Sequence, residues 1–367
     1  LIMNICIIGN GLASVSLANN LINKKINVHI YQQNKILNMK SNRTIGVSKK
    51  NLEFFEREIY KFPKKEVWKI NKIEIFSETQ SNNKILNFEK ENETLFYMLK
   101  NDKLLESLNK QLLKSKFFKR IIFKNENFYQ KLMKEKKYDL IINCDANNFF
   151  SKKYFTKKIF KDYNNLAYTT IIEHEKLKNN TAFQIFSIYG PIAFLPISDF
   201  ETSVVCSMDV KTKKFTEKEI LDLIKKNNPR FKIKKILKLS FFKLTLSSLR
   251  NYYYKNILAF GDLLHRIHPL AGQGFNMTIR DIKILSKIIQ NKIYLGMQLD
   301  FSILKEFENE TKHLNFSFLG GIDFIYEFFN LTKKTKNKNL NKILKYLGRN
   351  KILNKTIIKL ADNGLDF

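Results

Sequence analysis

Five of the chain's twelve glycines fall in two short stretches, GNGLAS at residues 9–14 and GDLLHRIHPLAGQGFNMTIRD at residues 261–281. Glycine elsewhere is scarce against a usual share of roughly 7%, so bare backbone is concentrated where something must come close to it. In the first stretch Gly9 permits a tight turn and Gly11 admits a phosphate to the backbone, while Ser14 stands where a dinucleotide fingerprint has its third glycine. The helix that follows would point its positive N-terminus at a pyrophosphate. In the second stretch Gly261 and Asp262 end an apolar run, and PLAGQGFN leads into another helix with an electropositive start. Two helix dipoles would then face one ligand, one holding a pyrophosphate and the other stabilising negative charge on a reduced isoalloxazine ring.

The flanking patterns supply the elements such a site needs. NICIIG predicts a buried strand, NGLASVSLANNLINKK a helix with Leu12, Val15, Leu17, Ala18 and Leu21 as its apolar positions, and INVHIYQ a second strand, together a βαβ unit. The fingerprint asks for an acidic residue at the end of that second strand to bind ribose hydroxyls; Gln32 occupies the position, and an amide bonds there more weakly than a carboxylate. Residues 103–113 carry helical periodicity, and YDLIINCD at 138–145 reads as a buried strand ending in a carboxylate. From about 163 to 210 the pattern changes to interrupted strands that predict a mostly antiparallel sheet. YKNILAFGD returns as an apolar strand, and a long amphipathic helix is expected from about 276 to 291. The polar run TKKTKNKN reads as a linker to a basic tail helix with Leu340, Ile343, Leu344 and Leu347 on one face.

Composition narrows the partners. A net charge of +31 would ordinarily raise nucleic acid. Yet only 8 of the 65 basic residues are arginine, leaving 57 lysines spread along the whole chain among Asn, Ile and Phe, all with A/T-rich codons. Base composition accounts for that excess more simply, and no nucleic-acid partner is expected. Cys6, Cys144 and Cys206 lie in separate apolar runs, which predicts a reducing compartment without disulfides or a cysteine metal site. A strand begins almost at once, so no signal peptide is expected ahead of it, and no run approaches 18 uninterrupted apolar residues. His265 and His268 are three apart, but Pro269 interrupts the helix and no third ligand is adjacent, so turn structure or cofactor contact is expected there and no metal.

GDLLHRIHPLAGQGFNMTIRD resembles the FAD-binding signature of the aromatic-ring flavoprotein monooxygenases, and its HPLAGQGFN core is most similar to the ubiquinone-biosynthesis hydroxylases among them. RTIGVSKKNLEFF at 43–55, GPIAFLP at 190–196 and GGIDFIYEFF at 320–329 resemble further family segments in the family's order. The resemblance implies an α/β fold: a discontinuous Rossmann-like FAD-binding domain over 1–70, 98–160 and 250–295, a mostly antiparallel substrate domain over 71–97 and 161–249, and a C-terminal helical region over 296–367. It implies a reaction in which NADPH or NADH reduces bound FAD and oxygen is transferred to a polyprenylated aromatic ring through a flavin C4a-hydroperoxide. No side chain need serve as a nucleophile. Carried over by position, Gly9, Gly11 and Ser14 would hold the pyrophosphate and Gln32 the adenosine ribose, with Arg43 near the cofactor. Asp262 would meet the ribityl or pyrophosphate region, and Pro269, Gly272, Gln273, Gly274, Phe275 and Asn276 would wall the ring.

The chain departs from the family at three places. Ala146 follows Asp145 where the family has glycine, Lys152 stands near an arginine's place, and Asp102 follows Asn101 where an arginine is expected. These leave open a hydroxylase of a soluble aromatic, another flavoprotein oxidoreductase, or a non-catalytic scaffold in a biosynthetic complex. The expected partner is a prenylated phenol or quinone precursor. The expected location is cytoplasmic, with the basic tail a candidate for peripheral contact at the inner membrane.

Overall fold

The computed structural model describes residues 3–33, 42–77, 84–89, 94–125, 127–135, 137–210, 213–267 and 274–335. Among these, strands form three sheets. The first runs β16 (Tyr253–Tyr254), β17 (Ile257–Ala259), β9 (Leu140–Asn143), β1 (Asn4–Ile8), β2 (Asn27–Gln32), β8 (Phe118–Ile122). All neighbours in it are parallel except the β16–β17 hairpin. Parallel strands covered on both faces need apolar side chains at every position, not at alternate ones, and Ile5, Cys6, Ile7 and Ile8 are accordingly at most 1% exposed.

Helix α1 (Leu12–Asn23) makes the crossover from β1 to β2 and packs on α3 (Asn101–Leu113), with Leu17, Leu21, Leu108 and Leu112 fully buried. Helices α4 (Asn127–Lys134) and α5 (Phe149–Tyr154) flank β9, and Tyr129 packs edge-on against Phe150 at 4.9 Å. From β1 the chain proceeds outward through β2 to β8, then returns to the other side of β1 to form β9. The strand order therefore reverses between β1 and β9, and the crevice beyond their carboxyl ends is where open α/β sheets take ligands.

The second sheet follows the order β18 (His265–Arg266), β15 (Ser240–Leu249), β10 (Lys158–His174), β13 (Glu201–Asp209), β12 (Pro191–Pro196), β11 (Thr181–Phe186), β5 (Lys72–Ser77), β6 (Lys84–Glu89), with β14 (Ile233–Ile236) also on β10. It is antiparallel apart from β11 with β5. Its apolar face, including Ile172, Phe194 and Val204, is covered by α6 (Glu217–Lys226), which a Thr216–Glu219 capping box starts. Gly190, in the turn into β12, explains one glycine of GPIAFLP: φ is +152° and an added Cβ would stand 1.7 Å from the Ser207 carbonyl oxygen. A small sheet of β3 (Thr44–Ser48), β7 (Phe96–Lys100) and β4 (Trp68–Ile70) joins the two, with Ile70 and Met98 packed on Ile171 and Ile197.

Helix α2 (Lys49–Glu58) follows β3, and α7 (Gly274–Tyr294) runs slightly longer at both ends than its periodicity predicts. Helix α8 (Phe301–Thr335) corrects one expectation. The first four residues of TKKTKNKN are helical and not linker, since lysine and threonine carry no turn signal that would stop a helix. The remaining four and the tail apolar stripe lie outside the described residues.

Candidate functional site

At the carboxyl ends of β1, β9 and β17 three backbone segments converge. Gly9 has φ +117°, and its N–H donates to the Tyr31 carbonyl at 2.9 Å. A Cβ there would lie 3.2 Å from the Ser14 hydroxyl and 3.5 Å from the Asp145 nitrogen, so Gly9 is pressed between its own turn and the end of β9. Gly261, at φ +62°, lies against the first turn of α1, where a Cβ would come within 2.6 Å of the Ala13 Cβ. Gly11 differs: a Cβ there would meet nothing within 4 Å, and Gly11 caps α1 without a side-chain hydrogen bond. The first N–H groups of α1 therefore face open space with the helix dipole behind them.

Cys144 reports how close the surrounding groups are. Burial pushes its thiol up to about 12; a hydrogen bond with the Ser14 side chain works against that rise, and the carboxylates of Asp262 and Asp145 add to it. Ser14, Asp145 and Asp262, from three separate segments, thus sit around one point. Asp262 is exposed, at the start of a 3-10 turn that follows β17. The segment carrying Asp145 is held from below. Asn143 donates to the Ser151 hydroxyl at 2.9 Å and exchanges bonds with Asn148, and the Asp145 carboxylate accepts from the Asn147 N–H at 2.8 Å. Gln32 is buried at the carboxyl end of β2, its carbonyl accepting from the Phe123 N–H.

The second glycine stretch contributes the start of α7. Gly274 lies near Ile267, and Phe275 packs on Phe55 with ring centroids 6.0 Å apart. Asn276 works as a clamp: its amide donates to the Gly46 carbonyl at 2.9 Å, and its oxygen accepts from the Ser48 N–H and the Asn51 amide, both at 3.0 Å. It ties α7 to β3 and α2. Pro269, Gly272, Gln273 and His268 lie outside the described residues. Arg43 stands at the seam of two sheets, its guanidinium 4.8 Å from the centre of the Phe242 ring and its carbonyl accepting from the Asn101 N–H.

Two arrangements escaped the sequence reading. His265 Nε2 lies 2.5 Å from Asp281 Oδ2, both buried, and Arg280 donates to Asp281 Oδ1 at 3.1 Å and to the Asn315 side chain. Asn315 in turn donates to the Tyr252 hydroxyl at 3.1 Å. Burial would raise the Asp281 carboxyl, but the His265 and Arg280 charges outweigh it and hold the group below the usual range. The signal was present: Asp281 falls between Ile279 and Ile282 on the apolar side of α7, where a carboxylate must be paired. The other is a small solvent-open cleft between the small sheet and the β12–β13 turn. Lys65, Lys103 and the Lys100–Glu201 pair at 2.8 Å line it.

The sheet order and the glycine geometry together fit a pyrophosphate: an open cradle in front of Gly11, a helix start without a side-chain cap and, among the described residues, no atom within 4 Å of the place a Gly11 Cβ would take. No family model matches the chain. The mitochondrial ubiquinone biosynthesis monooxygenase COQ6 of Dictyostelium discoideum is 24% identical over 89% of this chain and 84% of its own length. The COQ6 of Danio rerio is 26% identical over 52% of the chain and 48% of its own length, and the 3-demethoxyubiquinol 3-hydroxylase of Escherichia coli 29% identical over 43% and 42%. The chain is a relative of the ubiquinone-biosynthesis hydroxylases. Apart from the Dictyostelium protein, the alignments just given span about half or less of each hydroxylase's length.

Solved structures share the fold. The structure of p-nitrophenol 4-monooxygenase PnpA from Pseudomonas putida superposes with a TM-score of 0.77 over 97% of this chain and 96% of that one, at 12% identity. PqsL of Pseudomonas aeruginosa, a probable FAD-dependent monooxygenase, does so at 0.70 over 94% and 100%, also at 12% identity. The chain shares the fold of these two structures. Against the hydroxylases, the departures have local roles. Asp102 accepts from the Lys103 N–H at 2.8 Å in the first turn of α3, where a carboxylate suits the helix dipole. Ala146 packs against the main core, and Lys152 is exposed.

Proposed function

We propose that the chain is an FAD-dependent monooxygenase that hydroxylates the aromatic ring of a polyprenylated ubiquinone precursor, with NADPH or NADH as the electron source. The observation that carries this reading is the open cradle at Gly11, bounded by Ser14, Asp145 and Gly261 at the switch point of the parallel sheet. When bound, FAD supplies the redox and oxygen chemistry.

The chain's own residues have five tasks. The α1 N-terminus and Gly11 bind the pyrophosphate, with Ser14 at the turn. Gln32 supports the adenosine ribose from the end of β2, and Asp262 meets the ribityl or pyrophosphate region, where its carboxylate accepts from ribityl hydroxyls. The start of α7, fixed by the Asn276 clamp, presents a positive helix end to the ring and so stabilises negative charge there. Arg43, Phe275 and the segment containing Pro269, Gly272, Gln273 and Gly274 enclose the ring and exclude water.

Anaerobic stopped-flow mixing of the FAD-loaded protein with NADPH or NADH, with and without a prenylated phenol, tests the proposal. Bleaching of the flavin absorbance that accelerates with the phenol is expected. A purified protein that retains no flavin would overturn the reading.

A further inference from the structure

Residues 268–273 separate the two-residue strand β18 from α7. β18 has little hold of its own. Its residues pair with β15, Ser247 with Arg266 and Ser248 with His265, and the Leu249 N–H donates to the Leu264 carbonyl at 3.0 Å just ahead of it. The His265 ring supplies a second hold, because its Nε2 lies 2.5 Å from Asp281 Oδ2 on α7. Both residues are buried. The bond spans 16 positions of sequence and joins the strand ahead of residues 268–273 to the helix behind them.

Helix α7 is thereby held at two points. Asn276 ties it to β3 and α2 through the Gly46 carbonyl, the Ser48 N–H and the Asn51 amide, and Asp281 ties it to the antiparallel sheet through His265. At about 3.6 residues per turn, positions 276 and 281 stand about 140° apart around the helix axis. Ties on two sides of a rod fix both its place and its direction. A buried ion pair is a poor choice for packing alone, since apolar side chains of similar volume often serve stability as well. Yet the network continues: Asp281 Oδ1 accepts from Arg280 at 3.1 Å, Arg280 also bonds the Asn315 side chain, and Asn315 donates to the Tyr252 hydroxyl at 3.1 Å. Satisfied directional bonds of this kind specify one geometry where apolar contacts would let the helix slide.

From these observations we infer that His265, held by Asp281, is a positioning residue: the pair aims the electropositive start of α7 at the flavin ring and so sets the reduction potential of the bound flavin. This rests on the flavin binding in the proposed function, and not on the identity of the substrate. An oxidised ring is uncharged and a reduced ring bears negative charge, so a helix end fixed beside it favours the reduced state. The attraction weakens as the helix end drifts away. Removing the His265 ring leaves Asp281 paired with Arg280, so the interior keeps no uncompensated carboxylate. The aim of α7 is then loosened while its dipole remains.

The test is an anaerobic redox titration of the full-length, FAD-loaded protein, reduced by xanthine and xanthine oxidase against a reference dye, for wild type, His265→Leu and His265→Gln. Gln brings an amide N–H to a reach similar to that of Nε2 and keeps the bond; Leu removes it. In His265→Leu the affinity for reduced relative to oxidised flavin should fall at least about tenfold, which lowers the potential by roughly 30 mV for a two-electron couple. His265→Gln should stay near wild type. Denaturation midpoints of the flavin-free proteins are read alongside, because a bond that serves only packing would lower them and leave the potential unmoved. That outcome overturns the inference, as does an equal fall in the Leu and Gln variants. His265→Asn, whose amide falls short of Asp281, should behave as His265→Leu does and takes its place if His265→Leu does not fold. A chain that folds with neither assigns the bond to folding and also overturns the inference. Wild type that retains no flavin removes the hydroxylase reading and this inference together, whereas flavin retained at an unmoved potential in every variant removes this inference alone. A potential set by the pair in a protein that turns over no prenylated phenol leaves the inference standing and removes the hydroxylase reading.

Discussion

Gly11 and Gly261 border the same space under different constraints. A side chain at Gly261 would be strained at φ +62° and would collide with Ala13, both in the folded protein itself. Gly261→Ala should therefore lower stability by about 1–3 kcal/mol, measured as a reduced denaturation midpoint without any ligand. Gly11 has ordinary extended backbone and free room, so Gly11→Val should leave the midpoint nearly unchanged while weakening FAD binding by at least about tenfold, as read by flavin fluorescence titration. Equal destabilisation by the two variants would show that the space before α1 serves packing and not a ligand. The cysteines give a pH signature at the same scale. Burial pushes the Cys144 and Cys206 thiols up to about 12 from an ordinary 9.0. Folding therefore favours the neutral thiols; that contribution is complete below pH 9 and is lost as pH rises toward 12. Denaturation midpoints should fall across that window, and fall less for a Cys206→Ala protein.

At the scale of elements, His265, Asp281, Arg280 and Asn315 join β18, α7 and α8 on either side of the second glycine stretch. Asp281→Asn leaves Arg280 and His265 facing an uncharged amide in the interior, which should cost about 3–5 kcal/mol, measured by urea denaturation. The depressed Asp281 carboxyl carries the matching acid signature: its stabilisation is present above the ordinary carboxyl value of 3.8 and is lost as pH falls through the lower folded value. The acid limb of wild-type unfolding should lie below pH 3.8, and the variant should lack that component. Elements were well legible where one pattern decides them. β1 is apolar from Ile5 to Ile8, β2 carries Val28, Ile30 and Tyr31, α7 has an apolar stripe, and Gly9 and Gly11 mark the turn between strand and helix. The clamp by Asn276 and the pairing of Asp281 were not, because each depends on a partner far along the chain, 228 residues away for Ser48 and 16 for His265. Periodicity shows that a polar residue faces inward; it does not name what meets it.

At the scale of the whole molecule, sheet membership was the least legible property. Phe96–Lys100 pairs with strands on both sides of it in a separate small sheet, and His265–Arg266 adds to the edge of the antiparallel sheet although it sits inside the second glycine stretch, after a strand of the parallel sheet. Long-range pairing of this kind leaves no local trace. Net charge, by contrast, is fully legible and acts on everything at once. A chain of 43.5 kDa with a charge of +31 repels itself when compact. Its exposed ion pairs, such as Lys110 with Glu106 and Lys131 with Glu135, add little in return. Salt shortens the range of this repulsion to about 10 Å at roughly 0.1 M, so raising sodium chloride from about 0.01 to 0.3 M should raise the denaturation midpoint. A midpoint that rises with salt would mean that the net charge opposes compactness. A midpoint that fell with salt would instead assign net stabilisation to the ion pairs, and the self-repulsion argument would fail.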